Sequence, residues 1–141
     1  MNTGLLYGSP FLLDLSKKLK LKLLGFIPGI VWFLVVFILL IMPGSDIPSN
    51  DFFDLIYFDK WVHIGLFGFL TFFWQYPFSI ANRKSIKVML IIAILVLAYG
   101  VAMEFVQKYF TTTRTFDVTD IMADATGVII TILIFRRNLK K

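Results

Sequence analysis

The sequence predicts an all-α, polytopic membrane protein that forms a single domain over residues 1–141. Three observations predict this fold class. The chain of 141 residues is 58% apolar and only 16% charged, and its mean hydropathy is +0.82. Four long apolar runs follow one another, and most charged residues lie between them. So small a soluble protein could not hide this much apolar surface from water, and a disordered chain has the opposite composition.

Each apolar run is close to the length of about 20 residues that a helix needs to cross the hydrocarbon core. The runs are continuous rather than alternating, so they indicate helices and not the strands of a barrel. The first run carries no charge and ends at Pro43, and Pro77 closes the second. The sequence thus predicts a four-transmembrane-helix bundle with spans at about residues 23–42, 60–76, 88–109 and 118–135.

The segment before the first span mixes leucines with four lysines over residues 10–22. This pattern is typical of a short interfacial helix. A signal peptide is the alternative, but the apolar run is too long and no small-residue cleavage site follows it. We therefore expect a short N-terminal interfacial helix and a retained first span.

Charge placement predicts the orientation of the bundle. Eleven of the fourteen Lys and Arg residues precede span one, separate spans two and three, or follow span four, and eight of the nine acids lie on the other side. The positive-inside rule then places both termini in the cytoplasm. The net charge of +5 is thus explained by the excess of basic residues on the cytoplasmic side, and no nucleic-acid partner is needed to explain it.

Polar side chains from three spans are predicted to meet just below the outer surface. Many of them are three or four residues apart, which places each such pair on one helix face. A carboxylate at hydrocarbon depth costs several kcal/mol unless it is paired, hydrated or protonated. We take the following nine residues as candidate ligand-binding residues: Asp59, Lys60, His63, Glu104, Gln107, Arg114, Asp117, Asp120 and Asp124.

Simpler structural roles compete with binding. Asp117 fits the N-cap of the fourth helix, and Lys60 and Lys108 fit lysines that extend to the membrane interface. Glu104 would need a cation, for which Lys60, Lys108, Arg114 and His63 are the candidates. Small residues below the cluster predict a closely packed helix seam, and the many Phe and Trp residues are expected to face lipid. The seam residues would be Gly127 and Thr131, with Gly65 and Gly68 serving similarly in span two.

The catalytic content of the sequence is low. The chain has no cysteine, which excludes a thiolate nucleophile and a cysteine-ligated metal site. It has one histidine, which excludes a metal site with several histidines. No nucleophile or phosphate-loop motif is visible. Asp and Glu oxygens could bind a hard metal ion, but the acids of this chain do not have the spacing of a known metal motif. The sequence therefore favours a non-enzymatic protein without metal or cofactor. If it is an enzyme, the acid–base candidates are Glu104, His63 and Asp124.

The polar residues form three ordered motifs: Asp59-Lys60-x-x-His63-x-x-x-Phe67, Glu104-x-x-Gln107-x-x-Phe110 and Arg114-x-x-Asp117-x-x-Asp120-x-x-x-Asp124-x-x-Gly127. Together they resemble the VanZ-like family of small bacterial membrane proteins, over roughly residues 26–135. This chain has Met103-Glu104 where members often carry two acids, and Asp124 where they commonly carry Asn, which adds a charge.

The family is named for a member that gives low-level resistance to teicoplanin, so the resemblance implies a multi-pass protein of the bacterial cytoplasmic membrane that acts at the cell envelope. One hypothesis is a protein that binds a membrane lipid or cell-wall precursor at an outer-leaflet pocket and lowers glycopeptide susceptibility. An alternative is a hydrolase or transferase acting on a phosphate-linked envelope lipid. A transporter has the least support, because the inner half of every span is expected to be apolar. Gly25-x-x-x-Gly29 is a helix-contact pattern that leaves a homo-oligomer open.

Overall fold

The computed structural model describes residues 23–42, 57–80, 85–111 and 115–137, and this described part contains four α-helices and no strand. The all-α prediction is confirmed. The predicted interfacial helix and Arg114 lie outside the described residues, as do the acids Asp46, Asp51 and Asp54 between the first two helices. The helices are α1 Ile27–Ile41, α2 Phe58–Ile80, α3 Ile86–Phe110 and α4 Val118–Arg137.

Two of the helices, α3 and α4, are long and apolar enough to cross a membrane. Helix α1 is apolar but only 15 residues long, because a turn at Gly25 and Phe26 precedes it. Pro28 lies in its first turn, where a missing N–H removes no helical hydrogen bond. Many Leu and Ile side chains of α1, α3 and α4 face outward and are about half exposed. An apolar exterior of this extent is rare on soluble monomers.

Consecutive helices run antiparallel, and α2 packs most extensively against α4 rather than against its sequence neighbours. The contacts set the direction of α1, because Phe26 lies on Trp74 and Gln107 reaches Leu40 at the other end. Phe67 is fully buried at the centre of the core. The expectation that Phe and Trp face lipid is therefore wrong for this residue, whereas for exposed rings such as Phe110 it stays a prediction.

The seam between α2 and α4 is built from small residues. A Cβ atom placed on Gly127 would overlap the Ile64 carbonyl oxygen and lie 2.9 Å from the Gly68 backbone nitrogen. The Thr131 hydroxyl donates to the Gly68 carbonyl at 3.0 Å. The predicted seam is confirmed at these positions, but Gly65 takes no part in it, because a Cβ there would meet nothing within 4 Å.

The half of the bundle that the sequence assigned as purely apolar contains buried polar side chains. Thr71 is 0% exposed and Gln75 is 2% exposed, and both lie on the inward face of α2. The Thr71 hydroxyl donates to the Phe67 carbonyl one turn earlier, at 2.8 Å. The prediction failed because a few polar residues hardly lower the hydropathy of a span. Thr71 and Gln75 follow His63 by eight and twelve residues, in steps of four that keep them on the buried side of α2.

Candidate functional site

Antiparallel packing brings the start of α2, the end of α3 and the start of α4 to one end of the bundle. The polar residues of these three segments meet there, as the sequence predicted. We call them the polar cluster, and its members are Asp59, Lys60, His63, Glu104, Asp117, Asp120 and Asp124.

Lys60 joins α2 to the start of α4. Its Nζ atom donates to Asp117 Oδ2 at 2.8 Å and to Asp120 Oδ1, and it lies 3.6 Å from Asp59 Oδ2. The ammonium group is therefore held among three carboxylates. Lys108 is exposed and lies 5.4 Å from the centre of the Tyr109 ring, which agrees with a surface lysine.

Asp117 caps α4 and also bonds α3. Its Oδ1 accepts the backbone N–H of Thr119 at 2.8 Å and the Thr119 hydroxyl at 2.7 Å, so the predicted N-cap is confirmed. The hydrogen bond from Lys60, with those from Thr119, lowers the pKa of Asp117 to about 2. Its own N–H donates to Glu104 Oε2 at 2.8 Å. The loop and the helix start are thereby fixed to the end of α3.

Glu104 is buried, at 1% exposure, yet no Lys, Arg or His among the described residues forms an ion pair with it. Glu104 was expected to need a cation as its partner, and the N–H of Asp117 is the partner that it has instead. Arg114, one of the candidate partners, lies outside the described residues, and its predicted role stays a prediction.

His63 and Asp124 form a buried pair. Asp124 Oδ1 lies 2.8 Å from His63 Nδ1, and each residue is 1% exposed. An ionised carboxylate only accepts, so Nδ1 carries the proton that it donates to Asp124. His63 Nε2 has no hydrogen-bond partner and lies 3.7 Å from Asp120 Oδ2, beyond hydrogen-bonding distance. One buried imidazole nitrogen is therefore free to interact with a ligand.

Gly100 makes room for Asp124 and was not identified from the sequence. A Cβ atom there would lie 2.6 Å from Asp124 Oδ2 and 3.0 Å from the Phe67 ring. The available signal was its position four residues before Glu104, which places both on the same face of α3.

Gln107, a predicted binding residue, is not part of the polar cluster, because its side chain bonds α1. Its Nε2 donates to the Leu40 carbonyl at 3.0 Å, and the side chain is 1% exposed. The carbonyl belongs to the last turn of α1, whose final C=O groups have no partner within the helix. Gln107 therefore links α1 to α3.

The donor set also bears on metal binding. One ligand atom each from Asp59, His63 and Asp120 lies within 4.8 Å of the others, a separation that could hold a cation. Carboxylate and imidazole together would suit a transition metal better than calcium. However, the Lys60 ammonium already contacts both carboxylates, so it supplies the positive charge that a metal would bring.

A family model described as VanZ/LLP1 matches residues 13–140, nearly the whole chain. This match confirms the resemblance seen in the polar motifs. No curated protein and no solved structure matches the chain significantly. With the two helices long and apolar enough to cross a bilayer, the match indicates a membrane protein.

Proposed function

Because the chain belongs to the VanZ/LLP1 family, we propose that it is a multi-pass protein of the bacterial cytoplasmic membrane whose polar cluster binds a lipid-linked or cell-wall component. In this proposal all four helices cross the bilayer, and the span that contains α1 includes the apolar residues 23–26 before the helix. Eleven of the fourteen basic residues then lie in the cytoplasm with both termini, and the polar cluster lies near the outer surface.

The observation that carries the proposal is His63 Nε2, which is buried without a partner. Leaving a polar atom in this state costs about 1–3 kcal/mol, which a ligand that bonds it would recover. Asp124 fixes the ring through Nδ1, so the free nitrogen has a defined direction.

The composition of the polar cluster indicates what kind of ligand would fit. Five carboxylates face one lysine and one histidine, and that lysine is already engaged by three of them. The described residues thus offer more hydrogen-bond acceptors than donors. Hydroxyl, amide and amine groups of a saccharide or peptide suit such a site better than a phosphate alone. A phosphate would depend on Arg114 for its cation.

The test is native mass spectrometry of protein purified from bacterial membranes in mild detergent. Wild type is compared with His63→Asn, because the Asn amide can still donate to Asp124 from the Nδ1 position but has no atom at Nε2. We expect a lipid-linked saccharide or peptide on wild type and on the surface control Lys108→Met, and its loss from His63→Asn. Equal retention by all three proteins would contradict the proposal.

The resemblance also supports an effect on glycopeptide susceptibility. We propose that expression of the chain raises the teicoplanin concentration needed to inhibit a susceptible Gram-positive host, whereas His63→Asn at equal membrane abundance does not. An unchanged inhibitory concentration with wild type would remove this element and leave ligand binding to be judged by the mass spectra.

A hydrolase or transferase acting on a phosphate-linked envelope lipid is the second candidate, and the His63–Asp124 pair favours it. A carboxylate that orients an imidazole, with the other nitrogen free, is the arrangement used by general acid–base catalysts. Glu104 is a weaker candidate because its Oε2 is engaged by Asp117. Turnover of an envelope lipid by wild type, lost in His63→Asn and Asp124→Asn, would establish this function, and binding without turnover would exclude it.

A further inference from the structure

A second candidate site lies at the end of the bundle away from the polar cluster. A cavity of about 270 Å³, including its open mouth, lies between α2, the start of α3 and the end of α4. Gln75 follows His63 by twelve residues, so the two sites are about 18 Å apart along α2. We call this space the Gln75 cavity, and its lining includes Gln75, Ser79, Ser85, Met89, Ile92 and Phe135.

Gln75 has no partner for either amide atom, although its side chain is only 2% exposed. It is the one buried side chain among the described residues whose polar atoms all lack a hydrogen bond. An amide has two donor hydrogens and an acceptor oxygen, so a single polar group of a ligand can bond it either way. Its position on the cavity wall means that an occupant of the cavity could supply these bonds.

The rest of the lining indicates an amphiphilic occupant. Most of the wall is apolar, and the hydroxyl-bearing residues Ser79 and Ser85 stand beside Gln75. The enclosed part of the cavity measures about 10 Å³, which is room for one small polar group, so only one group of a larger molecule enters it. A hydrocarbon segment that ends in an ester suits the apolar wall, and its carbonyl oxygen can accept a hydrogen bond from Gln75 Nε2.

Basic residues are direct sequence neighbours of the residues that line the cavity. Arg136 and Arg137 directly follow the lining residue Phe135, and Lys87 precedes the lining residue Val88. All three are exposed. Basic groups around an inter-helix pocket are an arrangement that binds anionic lipid head groups.

We propose that the Gln75 cavity binds one ester carbonyl of an anionic diacyl phospholipid, which accepts a hydrogen bond from Gln75 Nε2, and that the phosphate lies near Arg136 and Arg137. The remainder of the acyl chains lies along the outward apolar faces of α3 and α4. This site does not depend on what the polar cluster binds.

The experiment compares two matched substitutions of buried glutamines, Gln75→Leu and Gln107→Leu, in delipidated protein in mild detergent. Thermal unfolding and native mass spectrometry are measured with dioleoylphosphatidylglycerol, with dioleoylphosphatidylcholine and with inorganic phosphate. We expect phosphatidylglycerol to stabilise wild type and Gln107→Leu, and its affinity for Gln75→Leu to fall about five- to tenfold. We expect Arg136→Ala/Arg137→Ala to lose the preference for phosphatidylglycerol over phosphatidylcholine.

The same substitutions act in opposite directions without lipid. Gln75→Leu removes an unpartnered amide and raises the melting temperature, whereas Gln107→Leu leaves the Leu40 carbonyl without its bond and lowers it. If Gln107→Leu does not fold, the conservative variant Gln75→Asn, which keeps an amide, replaces it as the lipid-binding reference. Equal binding of phosphatidylglycerol to Gln75→Leu and wild type would overturn the proposal, as would equal effects of both lipids or a shift with inorganic phosphate alone.

Discussion

The two ends of the bundle differ in whether their buried polar side chains have hydrogen-bond partners. In the polar cluster, Lys60, Asp117 and Glu104 bond one another or nearby backbone, and a single nitrogen of His63 is left over. At the other end, neither amide atom of Gln75 has a partner. Helix pairing therefore satisfies the first group almost completely and leaves the second unsatisfied.

This difference separates two reasons for burying polar groups in a membrane protein. A satisfied network fixes which helices meet and at what register, since each bond joins defined atoms of α2, α3 and α4. A group that no helix satisfies costs free energy until another partner bonds it, so it marks a candidate binding position. By this criterion the polar cluster is mainly architectural with one free binding atom, and the Gln75 cavity is mainly a binding site.

The largest effect is expected at the seam that joins the two ends. In Gly127→Ala, the new Cβ would meet backbone atoms of Ile64 and Gly68, so α2 and α4 must separate along their whole contact. We expect a loss of about 3 kcal/mol in unfolding free energy, measured by thermal or denaturant unfolding in detergent. Gly65→Ala is the control, because nothing lies within 4 Å of that Cβ, and equal losses from both variants would contradict the seam.

A smaller effect is expected from Lys60→Met, which removes the central cation of the polar cluster. The substitution leaves Asp117 and Asp120 facing each other without their shared cation. Because the Lys60 side chain is 25% exposed, we expect a loss of about 2 kcal/mol, less than for a fully buried pair. Lys108→Met should change unfolding by at most about 1 kcal/mol. An equally small change in both variants would show that the polar cluster does not hold α2 to α4.

The smallest effect is the pH dependence of Asp117. Its folded pKa of about 2 is below the ordinary value of 3.8, so its charge stabilises the fold above about pH 4, and this contribution is lost as the pH falls towards 2. Exposure of 41% of the side chain limits the effect to less than about 1 kcal/mol. Asp117→Asn keeps a capping side chain without the charge. The melting temperatures of the two proteins should therefore converge between pH 4 and pH 2, and a constant difference would assign the effect to capping alone.

Much of the polar cluster could be predicted because it depends on position along each helix. Runs of apolar residues located the four helices, although Pro77 does not end α2 as predicted and the helix continues to Ile80. Antiparallel succession then placed His63, Glu104 and Asp124 at one end. The N-cap at Asp117 and the small-residue seam at Gly127 follow from local rules about helix starts and close packing.

The pairing of side chains could not be predicted, because spacing identifies a helix face but not the helix that it meets. Glu104 was expected to need a cation, and it bonds the backbone of Asp117 instead. The function of Gly100 depends on a carboxylate from another helix, 24 residues later in the chain. Gln75 stood near the end of a predicted span, where a polar residue is ordinary, so only the packing of α3 and α4 around it shows that it is buried.

The pairing of α2 with α4 has a consequence for biosynthesis. In the proposed four-span topology, α2 enters the membrane while the partner of His63 is still 61 residues from being made, and the surface that Gly127 will occupy is then open to lipid. The polar cluster can form only after the ribosome has delivered α4, so the last helix completes the bundle. In that topology, a nascent chain that stops before α4 would leave an unpaired imidazole in the bilayer.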